Sequence, residues 1–572
     1  MRRQIQIAGV FFSQKKMVIL KDRIYKNAIE TIGAFSSAEM PGAIARVEEL
    51  AKKYTLIGYI RYEAKDFFLG GECNSELPLL WFEAYETSAP RKSTDAHRPP
   101  NIRIESKTTY EEYASAISEI KQKLSAGLTY QVNYTYCQKV FADVEPVRLF
   151  EHLVRLQQTP YAAFIENEHE SVISLSPELF FRVKDGELTT EPMKGTAGRS
   201  ARDGAKRPET TLDDEKNKAE NLMIVDLLRN DMSPTSIHGT VRVEKLFEVK
   251  EYPTLYQMVS RIKSKLSEKV GLGDILKSLF PCGSVTGAPK ISTMRIIREL
   301  EKSERGIYCG AIGFLNPREW IFSVAIRTLQ KARREEHYNY GVGGAITWDS
   351  KPWEEWIETK IKSRLLCEPV KLVETIGLRN SRPVFAREHC MRMQDAAQSL
   401  GYAFDPSEFM ALANASSGCG MLRILLDKGG NLQAETIVSK DTKNNIVEVS
   451  PIILDHSQEY LRYKTTWRPW YDEAMRRIRA GEIFDEIFFN DLGQLCEGAR
   501  TNIVLKIGGR LYTPPKECGL LGGIMRAKLL ERGACAEKIL YSDDLAAAEK
   551  IYCLNSVRGM KEVRLRGPAI PH

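Results

Sequence analysis

Lys194 stands in TEPMKGTAGR, between an apolar Pro192-Met193 pair and a Gly195-Thr196 turn. A lysine held rigidly there, at the mouth of a cleft, presents its amine as a candidate nucleophile. Upstream, SVISLSPELFFRV (Ser171 to Val183) and ELTTEPM read as strands joined by an Asp185-Gly186 hairpin turn. Glu178 and Lys194 are therefore expected on paired strands, within reach of one ligand, with a plain cross-strand ion pair as the ordinary alternative. Further along, Glu355, Glu358 and Lys362 fall at i, i+3 and i+7, on one helical stripe. Two carboxylates on one face suit a magnesium ion that also takes water and substrate oxygens, and a solvated Glu-to-Lys pair is the bland reading. Arg327, in the apolar run IFSVAIRTL, needs an anion from the protein or from a substrate.

These residues need elements to hold them. Tyr113, Ile117, Ile120 and Leu124 recur at helical spacing until Gly127, and TYQVNYTY (Thr129 to Tyr136) alternates as a strand with Gln131 and Asn133 on one face. DDEKNKAENLMIVDLLRND, Asp213 to Asp231, is expected to be a helix carrying Glu220 on its polar side. FPCGSVTGAPK, Phe280 to Lys290, reads as a loop whose N–H groups could hold a carboxylate or phosphate before a helix with Met294, Ile297 and Leu300 inward. Arg305 to Leu315 and Ile321 to Leu329 read as buried strands. Ser88 to Pro100 is expected to be a solvated loop.

With 572 residues the chain is too long for one core. At 43% hydrophobic and 27% charged it has an ordinary globular composition. No apolar run reaches a membrane span and the start MRRQIQIAGVFF lacks the features of a signal peptide, so a cytoplasmic location is expected. The 11 cysteines are scattered without CxxC pairs, which argues for reduced thiols and against structural zinc; Cys419 in SGCGM is expected to be structural. A net charge of +7 without a dense basic block fits small anionic substrates and gives no sign of nucleic acid.

In family order stand YQVN at Tyr130, SPE at Ser176, PMKGT at Pro192, KAENLMIVDLLRND at Lys218, CGSVTGAPK at Cys282, AIRTL at Ala325 and the ExxE helix at Glu355. Together they resemble the chorismate-utilising enzymes, over roughly Gly58 to Leu366. The resemblance implies an α+β fold of two packed antiparallel sheets flanked by helices, binding chorismate through Mg2+. Members that add water carry a lysine where this chain has Gln131, and anthranilate synthases usually have alanine at the position of Lys194. Aminodeoxychorismate synthases have lysine there, which implies that the Lys194 amine attacks the ring and departs when ammonia adds, with Glu178 protonating the leaving hydroxyl. Glu220 and Glu358 match magnesium ligands, with Glu355 supporting them. Gln131, Thr196, Thr286, Tyr308, Arg327, Gly341, Gly343, Gly344 and Lys362 match substrate-binding positions, the glycines on a loop from Gly341 to Gly344. Asn217, Gln257 and Ala345 depart from common family residues, and the first predicts weaker magnesium binding.

After a linker at 367–370 the pattern restarts with KLVETIGLRNSRPVFAREHCMRMQDAAQSLG, a strand, a turn and an amphipathic helix. Residues from 371 to about Arg564 resemble the class IV pyridoxal-phosphate enzymes, a two-subdomain fold shared by branched-chain aminotransferases, D-amino acid aminotransferases and aminodeoxychorismate lyase. By that resemblance Lys464 is the cofactor lysine and Glu497 keeps the pyridine nitrogen protonated. His389, Arg392, Ile524 and Met525 in GGIMR, and Asn555 with Ser556, hold the phosphate.

The two resemblances imply domains at 1–366 and 371–572 that aminate chorismate and then eliminate pyruvate to give para-aminobenzoate. Adjacency favours lyase over transaminase. No glutaminase motif is present, so a separate glutamine amidotransferase is expected to supply ammonia, and class IV relatives suggest a homodimer. The alternatives are an anthranilate synthase joined to an amino acid transaminase, and a non-catalytic chorismate-sensing scaffold.

Overall fold

A computed structural model describes residues 17–20, 22–91, 100–157, 159–198, 215–251, 255–366, 370–416, 420–437, 444–456 and 458–568. Of the expectations above, most of the 367–370 linker, Cys419 and most of the Ser88 to Pro100 segment lie outside these residues, and Thr196 and Asn217 are described through their backbone alone. The chain divides into two compact units, Met1–Cys367 and Glu368–His572. Among the described residues no helix is long and apolar enough to cross a membrane.

The first unit is built on two ten-stranded sheets, counted among the described residues, and its strand pairs are antiparallel. One sheet runs through Gln131–Ala142, Tyr338–Ile346, Thr328–Ala332, Glu170–Ser176 and Tyr161–Glu166; the other through Met193–Gly198, Leu255–Lys265, Glu187–Glu191, Leu179–Lys184, Glu319–Val324 and Thr55–Ile60. Their inner faces meet in an aromatic-rich core of Tyr59, Trp81, Tyr85, Ile165 and Val172. The outer face of the first is covered by the helices Tyr110–Ser125, Lys290–Leu300 and Pro352–Ser363, and that of the second by Met40–Ala51, Glu215–Met232 and Leu272–Leu279. The helix Tyr110–Ser125 begins on a capping box, Thr109 with Glu112, and gives way to Gly127 at φ +71°.

Three local expectations need correction. Residues 306–310 are turns rather than strand, with Gly306 and Cys309 at positive φ, so the strand there is only Ala311–Leu315. The run from Ile321 to Leu329 is broken between Val324 and Thr328, where Arg327 takes φ +51° and lies half-buried rather than buried. Gly341 to Gly344 are not a loop: they lie within the strand Tyr338–Ile346, paired with Gln131–Ala142.

In the second unit, among the described residues, a four-stranded antiparallel sheet holds Leu372–Arg379, Gly420–Leu426 and Leu432–Ile437. Leu372, Ile376, Leu422, Ile424 and Leu426 pack one face against the helices Ala386–Leu400 and Pro406–Ala415. Val373, Thr375, Arg423 and Leu425 alternate onto the other face. The second sheet is mixed and, among the described residues, eight-stranded, with Ile446–Leu454 parallel to both Asp485–Asn490 and Gly559–Leu565.

Candidate active sites

The first site starts at Glu178, in the short link between the strands Glu170–Ser176 and Leu179–Lys184. The Ser176 hydroxyl donates to Val324 O (2.6 Å), Glu178 N–H donates to Ser176 Oγ (3.2 Å), and Val324 N–H donates to Glu178 O (3.1 Å). The acid's backbone is thus tied on both sides. Its carboxyl is buried and Oε1 has no hydrogen-bond partner. Burial pushes Glu178 up to about 7, against the lowering effects of Ser284, the Lys194 charge and the Met193 N–H. Such a carboxyl can give or accept a proton at neutral pH.

Lys194 reaches this acid by a different route from the expected hairpin. Leu179–Lys184 pairs with Glu187–Glu191 through the positive-φ turn at Asp185 and Gly186, but that ladder ends at Glu191. On its other edge Glu187–Glu191 pairs with Leu255–Lys265, and beyond Pro192, which supplies no N–H, that ladder alone continues along Met193–Gly198, Lys194 opposite Met258. The Lys194 charge nonetheless acts on Glu178.

Around the pair lie buried amides with unused atoms. Gln131 pairs with Ala288, next to the loop that brings Ser284 to Glu178, and neither of its amide atoms is bonded. The strands approach there because Gly287, at φ +143°, has no Cβ; one built on it would lie 2.0 Å from Gln131 O. Gln257, opposite Thr196, leaves Oε1 unpartnered. Ser260 accepts the Phe247 N–H (3.1 Å) and gives its one proton to Asn221 Oδ1 (2.5 Å), so Asn221 Nδ2 is a fixed donor, buried without a partner. Each such group costs about 1–3 kcal/mol when left unpaired, which suits a site made for a polar ligand.

The helix Pro352–Ser363 brings two carboxylates over Gly344. A Cβ there would lie 3.2 Å from Glu355 Oε2, 3.7 Å from Lys362 Nζ and 3.8 Å from Glu358 Oε1. Glu355 is buried and its Oε1 accepts from Ser350 Oγ (2.6 Å); Lys362 Nζ bonds Glu358 Oε1 and Gly343 O, each at 2.7 Å. Glu220 is half-buried on Glu215–Met232 and is not gathered with these two into a ready ligand set. Among the described residues the group of three ligand types within 4.8 Å is Asp455, His456 and Asp491, in the second unit. The Tyr308 ring covers Gly341, where a Cβ would lie 2.1 Å from it, and burial pushes its hydroxyl well up. Thr286 is buried with the one proton of its hydroxyl shared between Cys282 O and Gly283 O (3.1 and 3.3 Å), and Arg327 Nη1 donates to Gln157 Oε1 (3.2 Å).

In the second unit Lys464 is half-buried, and Val373 N–H donates to its carbonyl (2.9 Å). Burial pushes its amine down to about 7; Glu374 opposes that, while the Arg392, Arg468 and Arg423 charges add to it. Glu497 is buried and pushed up to about 7 by burial, against Arg468, Tyr471 and the Leu521 N–H. Its Oε1 accepts from Arg468 Nη2 (2.9 Å) and Tyr471 OH (2.7 Å). His389 Nδ1 sits 2.6 Å from Glu374 Oε2 and its Nε2 3.1 Å from Ser556 Oγ. Arg392 forks onto Glu374 (2.8 and 2.7 Å) and also reaches Gly522 O (3.3 Å). The helix Ile524–Glu531 starts at Gly523 with no side-chain cap, leaving the Ile524 and Met525 N–H groups for an anion. Asn555 is occupied otherwise: Oδ1 accepts the Val557 and Arg558 N–H groups and Nδ2 donates to Arg500 O. A low-pKa lysine, a buried acid and an arginine beside an open helix start fit pyridoxal phosphate.

Glu374, Ser284, Asn221, Arg468 and Tyr471 were not singled out from the sequence. Glu374 carried a signal, an acid inside the apolar run KLVETIGL.

The two-sheet architecture of the first unit is that of chorismate-family enzymes. Anthranilate synthase component I from Streptococcus pneumoniae superposes with a TM-score of 0.51 at 22% identity, covering 64% of this chain and 95% of its own. Residues 81–368 match the chorismate binding enzymes, and the chain belongs to that family. Residues 371–565 match the class IV amino-transferases. Aminodeoxychorismate synthase component 1 of Klebsiella aerogenes is 37% identical over 252 residues, 44% of this chain and 55% of the relative. Anthranilate synthase component 1 1 of Haloarcula marismortui is also 37% identical, over 279 residues, 48% of this chain and 56% of the relative. The chain thus spans about half the length of the curated relatives it matches.

Proposed function

We propose that the chain makes para-aminobenzoate in two steps, aminating chorismate to 4-amino-4-deoxychorismate in the first unit and eliminating pyruvate from it in the second. The observation that carries this reading is the buried Glu178, near 7, beside Lys194 in a site of unpartnered amides. Relatives named as aminodeoxychorismate and as anthranilate synthases are equally similar, so overall identity does not choose. Lys194 does, since by the family resemblance anthranilate synthases usually lack this amine.

In the first step the Lys194 amine forms a bond to the ring while the hydroxyl leaves as water, taking its proton from Glu178. Ammonia then adds, the Lys194–ring bond breaks, and Glu178 regains a proton from the incoming amine. Gln131, Gln257 and Asn221 offer donors and acceptors to the substrate's polar groups. Glu220, Glu355 and Glu358 would hold Mg2+, which supplies positive charge to the substrate carboxylates. Glu355 and Glu358 already converge, and substrate and water oxygens would complete the shell.

In the second unit Lys464 and Glu497 would bind pyridoxal phosphate, with Arg392, His389, Ser556 and the Ile524 and Met525 N–H groups at its phosphate. The bound cofactor supplies an electron sink. Lys464 in its neutral form takes the proton from the ring carbon that bears the amine, the bond from the ring to the enolpyruvyl oxygen breaks, and the released enolpyruvate takes up a proton to become pyruvate; Glu497 would hold a proton at the pyridine nitrogen.

Ammonia would come from a separate glutamine amidotransferase, a reading supported by relatives named as component 1 of their synthases. A cytoplasmic location and a homodimer remain part of the proposal. The test is the purified chain with chorismate, Mg2+, ammonium and pyridoxal phosphate. Para-aminobenzoate and pyruvate in equal amounts are expected; anthranilate overturns the first step, and accumulated aminodeoxychorismate the second.

A further inference from the structure

The second unit carries a cation whose place none of the motifs explains. Leu372 bridges Thr465 in antiparallel fashion and Val373 N–H bonds Lys464 O, so Lys464 continues the four-stranded sheet at its edge. In that register Lys464 lies opposite Val373, on the same face as Val373 and Leu425. One step along, on that same face, Thr375, Arg423 and Glu435 lie in a row across three strands. The opposite face is sealed beneath helices, while this one is half-exposed at Thr375, Met421, Arg423 and Leu425. Arg423 is held at the rim by Glu435, Nη1 to Oε1 at 3.1 Å, with side chains 38% and 52% exposed. A pair so open to water is weak and easily exchanged.

The charges around Lys464 point the same way. Arg392 is matched by Glu374 and Arg468 by Glu497, both in buried or nearly buried pairs. Arg423 is the cation of this group whose counter-ion faces solvent, and its charge is felt at Lys464.

We propose that Arg423 binds a carboxylate of the substrate remote from the reacting amine, exchanging Glu435 for it, and so makes the second site selective for dicarboxylates over simple amino acids. This rests on the cofactor reading of the second unit. It sharpens that reading, because a dianionic substrate is what an elimination from aminodeoxychorismate requires.

The test uses the full chain loaded with pyridoxal phosphate, whose visible absorbance band reports on this unit alone. The band is titrated with 3-(1-carboxyvinyloxy)benzoate, a dicarboxylate, and with benzoate. The unaltered chain is expected to bind the dicarboxylate at least about tenfold more tightly, and Arg423→Gln to bring the two within about twofold while still binding benzoate. Glu435→Gln is expected to tighten dicarboxylate binding, and it decides the matter if Arg423→Gln does not load. A dicarboxylate advantage that survives Arg423→Gln, or that is unmoved in Glu435→Gln, overturns the assignment. If the unaltered chain shows no band, the cofactor reading falls and the assignment with it; a band without any dicarboxylate preference removes Arg423 alone.

Discussion

The two units apply one physical lever to opposite groups. In the first, burial holds an acid, Glu178, near 7; in the second, burial brings an amine, Lys464, down to about 7. Each is thereby brought close to neutral pH, poised to give or take a proton. The surroundings differ. Glu178 faces one lysine charge and two hydrogen-bond donors, all favouring its ionised form, whereas Lys464 has three arginines pressing it towards neutrality and one glutamate resisting. Desolvation alone therefore suffices for the acid, while the amine also draws on a field built from Arg392, Arg468 and Arg423.

The sharpest way to break this comparison is to remove each centre in turn. Lys464→Ala should lower pyruvate elimination by about 10³-fold or more while chorismate amination continues, measured as accumulation of aminodeoxychorismate. Glu178→Gln should lower the amination by about 10²–10⁴-fold and leave elimination from supplied aminodeoxychorismate intact. Loss of both activities in either variant would show that the units are not independent.

The same glutamate sharpens the comparison through stability. Its value is raised on folding, so the native state binds more protons between its unfolded value near 4.3 and about 7, and stability falls as pH rises through that window. Glu178→Gln removes that cost and should raise stability of the first unit at pH 8 by about 1–3 kcal/mol while slowing its chemistry. Glu374 has the reverse sign. Its value lies well below the ordinary range because Arg392 and His389 overcome its burial, so its contribution is present above the unfolded value and is lost as pH falls through the folded one. Acid unfolding of the two units, followed separately by limited proteolysis, should therefore differ, the second giving way at low pH where the first gains.

Much of this site chemistry was legible as residue order. Glu178, Lys194, the ExxE helix, Lys464 and Glu497 carry types and spacings that survive as motifs. What was not legible depends on long-range register. The sequence shows a hairpin at Asp185-Gly186 but not that its second strand also pairs along its other edge with Leu255–Lys265, a ladder that continues past Pro192 and decides what lies opposite Lys194. Nor does apolar patterning show that Arg327 turns into the left-handed region and interrupts a strand, or that Gly341 to Gly344 lie within a strand, with Gly341 beneath Tyr308 and Gly344 beneath Glu355 and Glu358. Asn221 reads as one more helix polar residue until Ser260, 39 residues later, fixes which end of its amide is left over. Glu374 is the exception, since an acid in an apolar strand announces that something cationic must meet it.

The smallest expected effect tests whether the first unit's outer charges belong to its site or to its surface. Lys362 is about two-fifths exposed and pairs with the half-exposed Glu358, so as a surface salt bridge the pair should contribute less than about 1 kcal/mol to stability. Lys362→Ala is therefore expected to leave the unfolding midpoint nearly unchanged. Yet Lys362 Nζ also bonds Gly343 O and lies with Glu355 and Glu358 over Gly344. Removing its charge takes away one cation that competes with a metal ion for Glu358, and takes a positive group away from the anionic substrate. The two consequences separate in a titration: the Mg2+ concentration for half-maximal amination should fall severalfold while the KM for chorismate rises. A shift in neither, with only the small stability change, would place Lys362 on the surface and leave Glu355 and Glu358 without support as a metal-binding face.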